Sequence, residues 1–288
     1  MSNQALIPRS VYIVREAINH CYSHPRILFP FISIAFIQLF VLEVLYFSPQ
    51  YPLAKFFGPV IKRLMGEIYL HYPVNYIILP KLFNYAQVPI YLFLSNFLIG
   101  VAIALLWAIN TNSTTSIKTA FKSVKPMYVH IVIAAFISFI VYFGLYSIYG
   151  TFLAKSFKMA GGGAHFLKSL LLNGAPYFTL FIGVIVTTLF AFVLPLIVIE
   201  KKGILTAFWM NFRDHMGSFP HVFLLVFLPT LCYLPILLLR NNINIIADTT
   251  FPEMRLILLI ISILISVGID TVVYISITIY YLLKKEQA

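Results

Sequence analysis

The chain has 288 residues, of which 61% are hydrophobic and only 10% charged. A water-soluble domain carries about 25% charged residues, so a fold whose whole surface faces water is excluded. The net charge of +11 sits in short stretches beside apolar runs rather than in a separate basic domain, which points to anionic lipid headgroups and away from nucleic acid.

The first 26 residues hold Arg9, Arg15, Glu16, His20 and Arg26 and contain no apolar h-region. A cleavable signal peptide is therefore not expected, and the run at 27–48 is expected to serve as an uncleaved signal-anchor. Before it, residues 10–22 read as a weakly amphipathic helix with Val11, Val14, Ile18 and Cys21 inward. Five more runs follow at 88–110, 129–149, 177–199, 219–239 and 256–283. Each has about 18 or more residues with almost no charge, enough for a helix to cross ~30 Å of hydrocarbon. Between the first two runs, Phe56, Val60, Leu64 and Ile68 oppose Lys55, Lys62, Arg63 and Glu67, the pattern of a surface helix over 53–70. Residues 73–87 carry Pro80 and the aromatics Tyr72 (just before), Tyr76 and Phe83. This stretch is too short to span and reads as interfacial or re-entrant.

Ahead of the third run, Ile117, Ala120, Phe121, Val124 and Met127 share one helical face over 115–127. Lys118, Lys122 and Lys125 share another, as a basic interfacial helix requires, and are the candidate headgroup contacts. Ahead of the fifth run, residues 203–216 repeat the idea, with Ile204, Leu205, Phe208, Phe212 and Met216 inward and Asn211, Arg213 and Asp214 outward. The chain thus reads as three units, each a surface helix followed by two spans. His20-Cys-Tyr-Ser23-His-Pro25 and His215-Met-Gly-Ser218-Phe-Pro220 match locally, with Ser and Pro placed to end a surface helix and start a span.

With six spans both termini share a side. That side holds 11 of the Lys and Arg residues against 9 on the other, which together with the three surface helices places the termini in the cytoplasm. The expected fold is a single all-α integral membrane domain of six transmembrane helices with amphipathic helices on the cytoplasmic side.

The sequence carries no pattern for catalysis, a cofactor or a metal. Gly161-Gly162-Gly163 lacks the spacing of a phosphate-binding loop, and Lys168 comes too late, so the glycines read as a hinge. His20 and His24 are four apart but lack H-E-x-x-H, and Pro25 follows at once. Cys21 and Cys232 do not suggest a disulfide framework. Asp270 is the exception to a bland reading, since it lies near the centre of the last run, where an acid costs ~2.5–3.5 kcal/mol to insert. Asn96 and Gln38 lie within the second and first runs and join it as a candidate intramembrane polar cluster, while Glu43 sits toward the far end of the first. The cluster serves either as interhelical glue, at ~0.6 kcal/mol per hydrogen bond, or as a proton or substrate site. Pro195, Pro229 and Pro235 predict kinks. Gly100 with Ala104, and Ser262 with Ser266, are spaced for close helix contact.

Phe192-Val-Leu-Pro195-Leu-Ile-Val-Ile-Glu200-Lys-Lys-Gly203-Ile-Leu-Thr-Ala207-Phe208, then Phe212 and Gly217-Ser218-Phe219, resembles a recurring bacterial pattern. It is similar to the membrane domain ahead of some bacterial glycerophosphodiester phosphodiesterases and to its stand-alone six-span relatives. Asn211 stands where that pattern often has Ser. The resemblance implies a six-span fold in a bacterial cytoplasmic membrane and transfers no catalytic residue, since no phosphodiesterase domain is attached. The sequence thus leads to a non-enzymatic accessory or lipid-organising component whose partners are anionic headgroups and a membrane protein. The alternative is a permease-like transporter using Asp270 and kinked helices.

Overall fold

The computed structural model describes residues 6–111, 113, 115–159, 165–243 and 251–286, and these residues form helices and turns with no strand among them. Six helical stretches are long and apolar enough to span a membrane: Pro25–Tyr46, Asn75–Asn110, Ile117–Phe152, Gly174–Val198, Met216–Asn241 and Met254–Glu286. They contain all six expected runs to within a few residues. The glycine triplet 161–163 lies outside the described residues.

The second span is longer than its sequence implies. The stretch 73–87 is not separate from it, because Asn75–Pro89 runs on through a π-helical turn, Ile90–Ser95, into Asn96–Asn110. Pro80 stands near the start of that helix, where few N–H partners are lost. Pro89 lacks an N–H for the preceding turn, and the wider winding after it absorbs the mismatch.

Three short helices, Leu6–Ser23, Ile117–Val124 and Ile204–His215, precede the odd-numbered spans. Each joins its span through one turn of 3-10 helix: Pro25–Ile27, Lys125–Met127 and Met216–Ser218. A proline lies in or just after each turn (Pro25, Pro126 and Pro220), although the segment before Pro126 lacks the His and the Ser-x-Pro spacing of the other two. The serine reading needs correction, since Ser218 makes no side-chain cap and instead accepts from Lys284 Nζ at 2.9 Å.

The faces these helices bury also differ from expectation. The first buries Ser10, Ile13 and Ala17; of the four expected inward, Val14 and Cys21 pack against the core but Val11 and Ile18 are exposed. The third buries Ala207 and Asn211; Ile204 and Phe208 pack against the core as expected, whereas Leu205, Phe212 and Met216 are exposed. In the second, Ala120 and Val124 are buried, Phe121 is exposed, and Ile117 and Met127 pack partly against the core. Between the first two spans, Phe56, Val60 and Ile68 are exposed around the buried Ile61. The cause is common to all four: beside a bilayer a large apolar side chain gains nothing by turning to protein rather than lipid. Small residues, by contrast, let backbones approach.

The spans form a closed circuit. The second packs on the third, the third on the fourth, the fourth on the fifth, the fifth on the sixth and the sixth on the second, with the first laid along the seam between second and sixth. Two separate apolar clusters fill it. The larger, nearer the termini, includes Ile34, Phe97, Ile131, Leu196, Ala207, Leu225 and Ile277. The smaller, at the far end, is Leu42, Leu79, Phe83, Leu259 and Ile263.

Candidate functional site

On the first span Gln38 comes between Ile34 of one cluster and Leu42 of the other. On the second, the π-turn and Asn96 come between Phe83 and Phe97, whereas on the sixth Asp270 stands between Val267 and Val273, both of the larger cluster. No hydrogen bond joins these three residues picked from sequence. Asn96 Nδ2 donates to the Tyr91 carbonyl at 2.7 Å, within the irregular turn of its own span. Gln38 Oε1 and the buried Ser95 Oγ have no hydrogen-bond partner among the described residues. Glu43 lies in the same helix as Gln38, and its carbonyl accepts from Phe47 N–H at 3.0 Å.

Asp270 is exposed. Yet Ile263 and Ile277, one heptad away on either side and on the same helical stripe, are 1% and 0% exposed. The outward stripe of this helix, Ile257, Ile261 and Leu264, is on the opposite side, since Ile261 to Asp270 is about two and a half turns. Asp270 thus lies on the inward stripe of this helix, yet it is exposed. Tyr91 on the π-turn and Tyr274 one turn along are close enough to feel its charge. These two tyrosines were missed in the sequence, where aromatics in spans are too common to stand out. At the far end, a crevice beside Tyr46, Asn75 and Tyr76 has room for about one water molecule and forms no ligand pocket.

A second polar assembly ties the terminal end together. The fourth span breaks at Phe190–Phe192 before the short helix Val193–Val198, with Pro195 in its first turn. Val193 N–H bonds Phe190 O, which leaves Leu189 O without its usual helical donor. The Asn211 side chain repairs the break: Nδ2 donates to Leu189 O at 2.7 Å and Oδ1 accepts from Phe192 N–H at 3.2 Å. Asn211 was read from sequence as an outward residue.

Just beyond, Lys201 takes a left-handed backbone (φ 53°) that ends the fourth span. The neighbouring Glu200 accepts from the Tyr281 hydroxyl and lies 3.2 Å from Lys285 Nζ. Burial pushes the Glu200 carboxyl up, but the Tyr281 hydroxyl and the charges of Lys285 and Lys202 outweigh it and hold the group below the usual carboxylate range. A lowered folded value means stability that is present above the ordinary pKa of about 4.3 and lost as pH falls through the folded one. Glu200→Gln is expected to flatten the fall in melting temperature between pH 5 and pH 3 in detergent. Equal acid sensitivity in both proteins would show that Glu200 does not contribute.

Lys118, Lys122 and Lys125 are all exposed. Cys21 and Cys232 are free thiols. His20 and His24 stack with ring centroids 5.9 Å apart, and no group of three or more potential metal ligands occurs among the described residues. Comparison with family models, curated proteins and solved structures finds no match.

Proposed function

We propose that this chain is a non-enzymatic component of a bacterial cytoplasmic membrane that organises lipid around its terminal end, with both termini in the cytoplasm. The observation that carries the reading is the set of large apolar side chains left exposed on the three short helices. Ile7, Val11 and Tyr22 stand out on the first, Phe121 on the second, and Leu205 (83% exposed) and Trp209 (65%) on the third. Lys118, Lys122 and Lys125 stand beside them, so one end of the bundle offers both apolar and cationic groups to the headgroup region. Orientation is supported by the bias of Lys and Arg toward this side, and the bacterial membrane by the resemblance of 192–219. A permease-like role is the second reading. It is favoured by the open position of Asp270 beside a π-helical turn, in keeping with broken helices at transport sites.

Each lysine near an anionic surface contributes ~1 kcal/mol. In vesicles rich in phosphatidylglycerol, amide exchange over 117–127 is expected to be slower than in phosphatidylcholine. Changing Lys118, Lys122 and Lys125 together to Glu should abolish that difference. If exchange in the two lipids is already the same for the native chain, the lipid-surface reading fails.

A further inference from the structure

The geometry points to Asp270, on the inward stripe of the sixth span, as a binding site for a monovalent organic cation, an ammonium carrying an apolar body. The inference is independent of the lipid-surface reading and supplies a ligand class for the permease-like one.

Four observations lead there. Asp270 faces inward on the sixth span and is exposed, while its stripe neighbours Ile263 and Ile277 are sealed. Asp270 has no hydrogen-bond or ion-pair partner among the described residues, and neither do the buried Gln38 Oε1 and Ser95 Oγ of the first and second spans. A packed core leaves such groups unmet only where water or a ligand serves them. The Arg240 guanidinium reaches Ser262 on the sixth span, eight residues from Asp270 and about 12 Å along the helix, and Arg255 is fifteen residues away, about 22 Å, so neither lies at contact distance along the helix. The countercharge is thus left to be brought by a visitor. Finally, Tyr91, 37% exposed, and Tyr274 stand within electrostatic reach of the carboxyl. A carboxylate with aromatic rings near it, flanked by the sealed aliphatic side chains of Val267 and Val273, is the chemistry that holds an organic ammonium. The charge meets the carboxylate and ring faces, and the body meets aliphatic walls. A metal ion does not fit this set, which has one carboxylate and no imidazole or thiol. An anion is repelled by it.

The test uses the full chain in phosphatidylcholine nanodiscs. Dicyclohexylcarbodiimide reacts with membrane carboxyls that are open to it, and mass spectrometry reads the adduct on the Asp270 peptide. Labelling is expected in the native chain and absent at that peptide in Asp270→Asn. Butyltrimethylammonium should slow labelling at least threefold with saturation, whereas the uncharged 1-hexanol should not. Saturable binding of butyltrimethylammonium by equilibrium dialysis should fall at least tenfold in Asp270→Asn and persist in Asp270→Glu. No labelling of Asp270 would overturn its accessibility. Labelling that the cation does not slow, or that hexanol slows equally, would overturn the cation site. The labelling arm needs only the native chain, so it decides the matter even where the variants fail to fold.

Discussion

Asn211→Leu is expected to destabilise the protein by about 2–4 kcal/mol, because it strands two buried main-chain groups at once. Leucine keeps the branched skeleton of asparagine but is larger and offers no donor or acceptor. An ordinary interhelical hydrogen bond in a membrane is worth only ~0.6 kcal/mol, since the unfolded reference also finds partners. The Asn211 bonds are different in kind. They serve Leu189 O and Phe192 N–H, which a break in the fourth span has left without helical partners. Asn211→Asp should also be harmful, since it keeps an acceptor for Phe192 but sets a second oxygen against Leu189 O. Thermal unfolding in detergent measures both, with Leu205→Ala on the exposed side of the same helix as a neutral control. A melting temperature for Asn211→Leu equal to that of the control would refute the bridging role.

Gly100→Leu should be comparably damaging, at about 3 kcal/mol, the upper part of the usual cost of overpacking. A Cβ at this position would already meet Ile131 Cδ1 at 3.2 Å, Val124 Cγ1 at 3.3 Å and Val198 Cγ2 at 3.4 Å. These neighbours come from the third and fourth spans and the short helix before the third, so Gly100 is where three parts of the bundle close on the second span. Alanine asks each methyl group to yield a few tenths of an ångström and should cost less than about 1 kcal/mol. Leucine needs room that all three neighbours would have to give together. Gly144, in the third span, has nothing within 4 Å of a built Cβ, and Gly144→Leu should leave stability unchanged. Equal effects of leucine at 100 and 144 would show that the close approach does not matter.

The spans themselves were legible because length and apolarity are all that hydrocarbon demands of a crossing helix. All six runs lie where they were placed, and Asp270 was recognisable because an acid in mid-span has no cheap position. Its place on the inward stripe, and its exposure there, were not legible. They depend on which stripe of the sixth helix the other spans cover. The same holds for the three short helices. Their apolar periodicity was real, but it marked the protein side only in part in the first and third: Val14, Cys21, Ile204 and Phe208 pack against the core, while Val11, Ile18, Leu205 and Phe212 are exposed and Ser10, Ala17, Ala207 and Asn211 are buried. In water an apolar stripe has one place to go, whereas in a membrane protein lipid and protein interior are equally apolar and the stripe cannot distinguish them. Close backbone approach and main-chain hydrogen bonding made that choice. It was set by partners far along the chain, as Asn211 is from Leu189 and Tyr281 from Glu200. What the sequence determined alone was the medium and the number of crossings. Which side of each helix meets protein, and which polar groups meet each other, followed only from the tertiary packing.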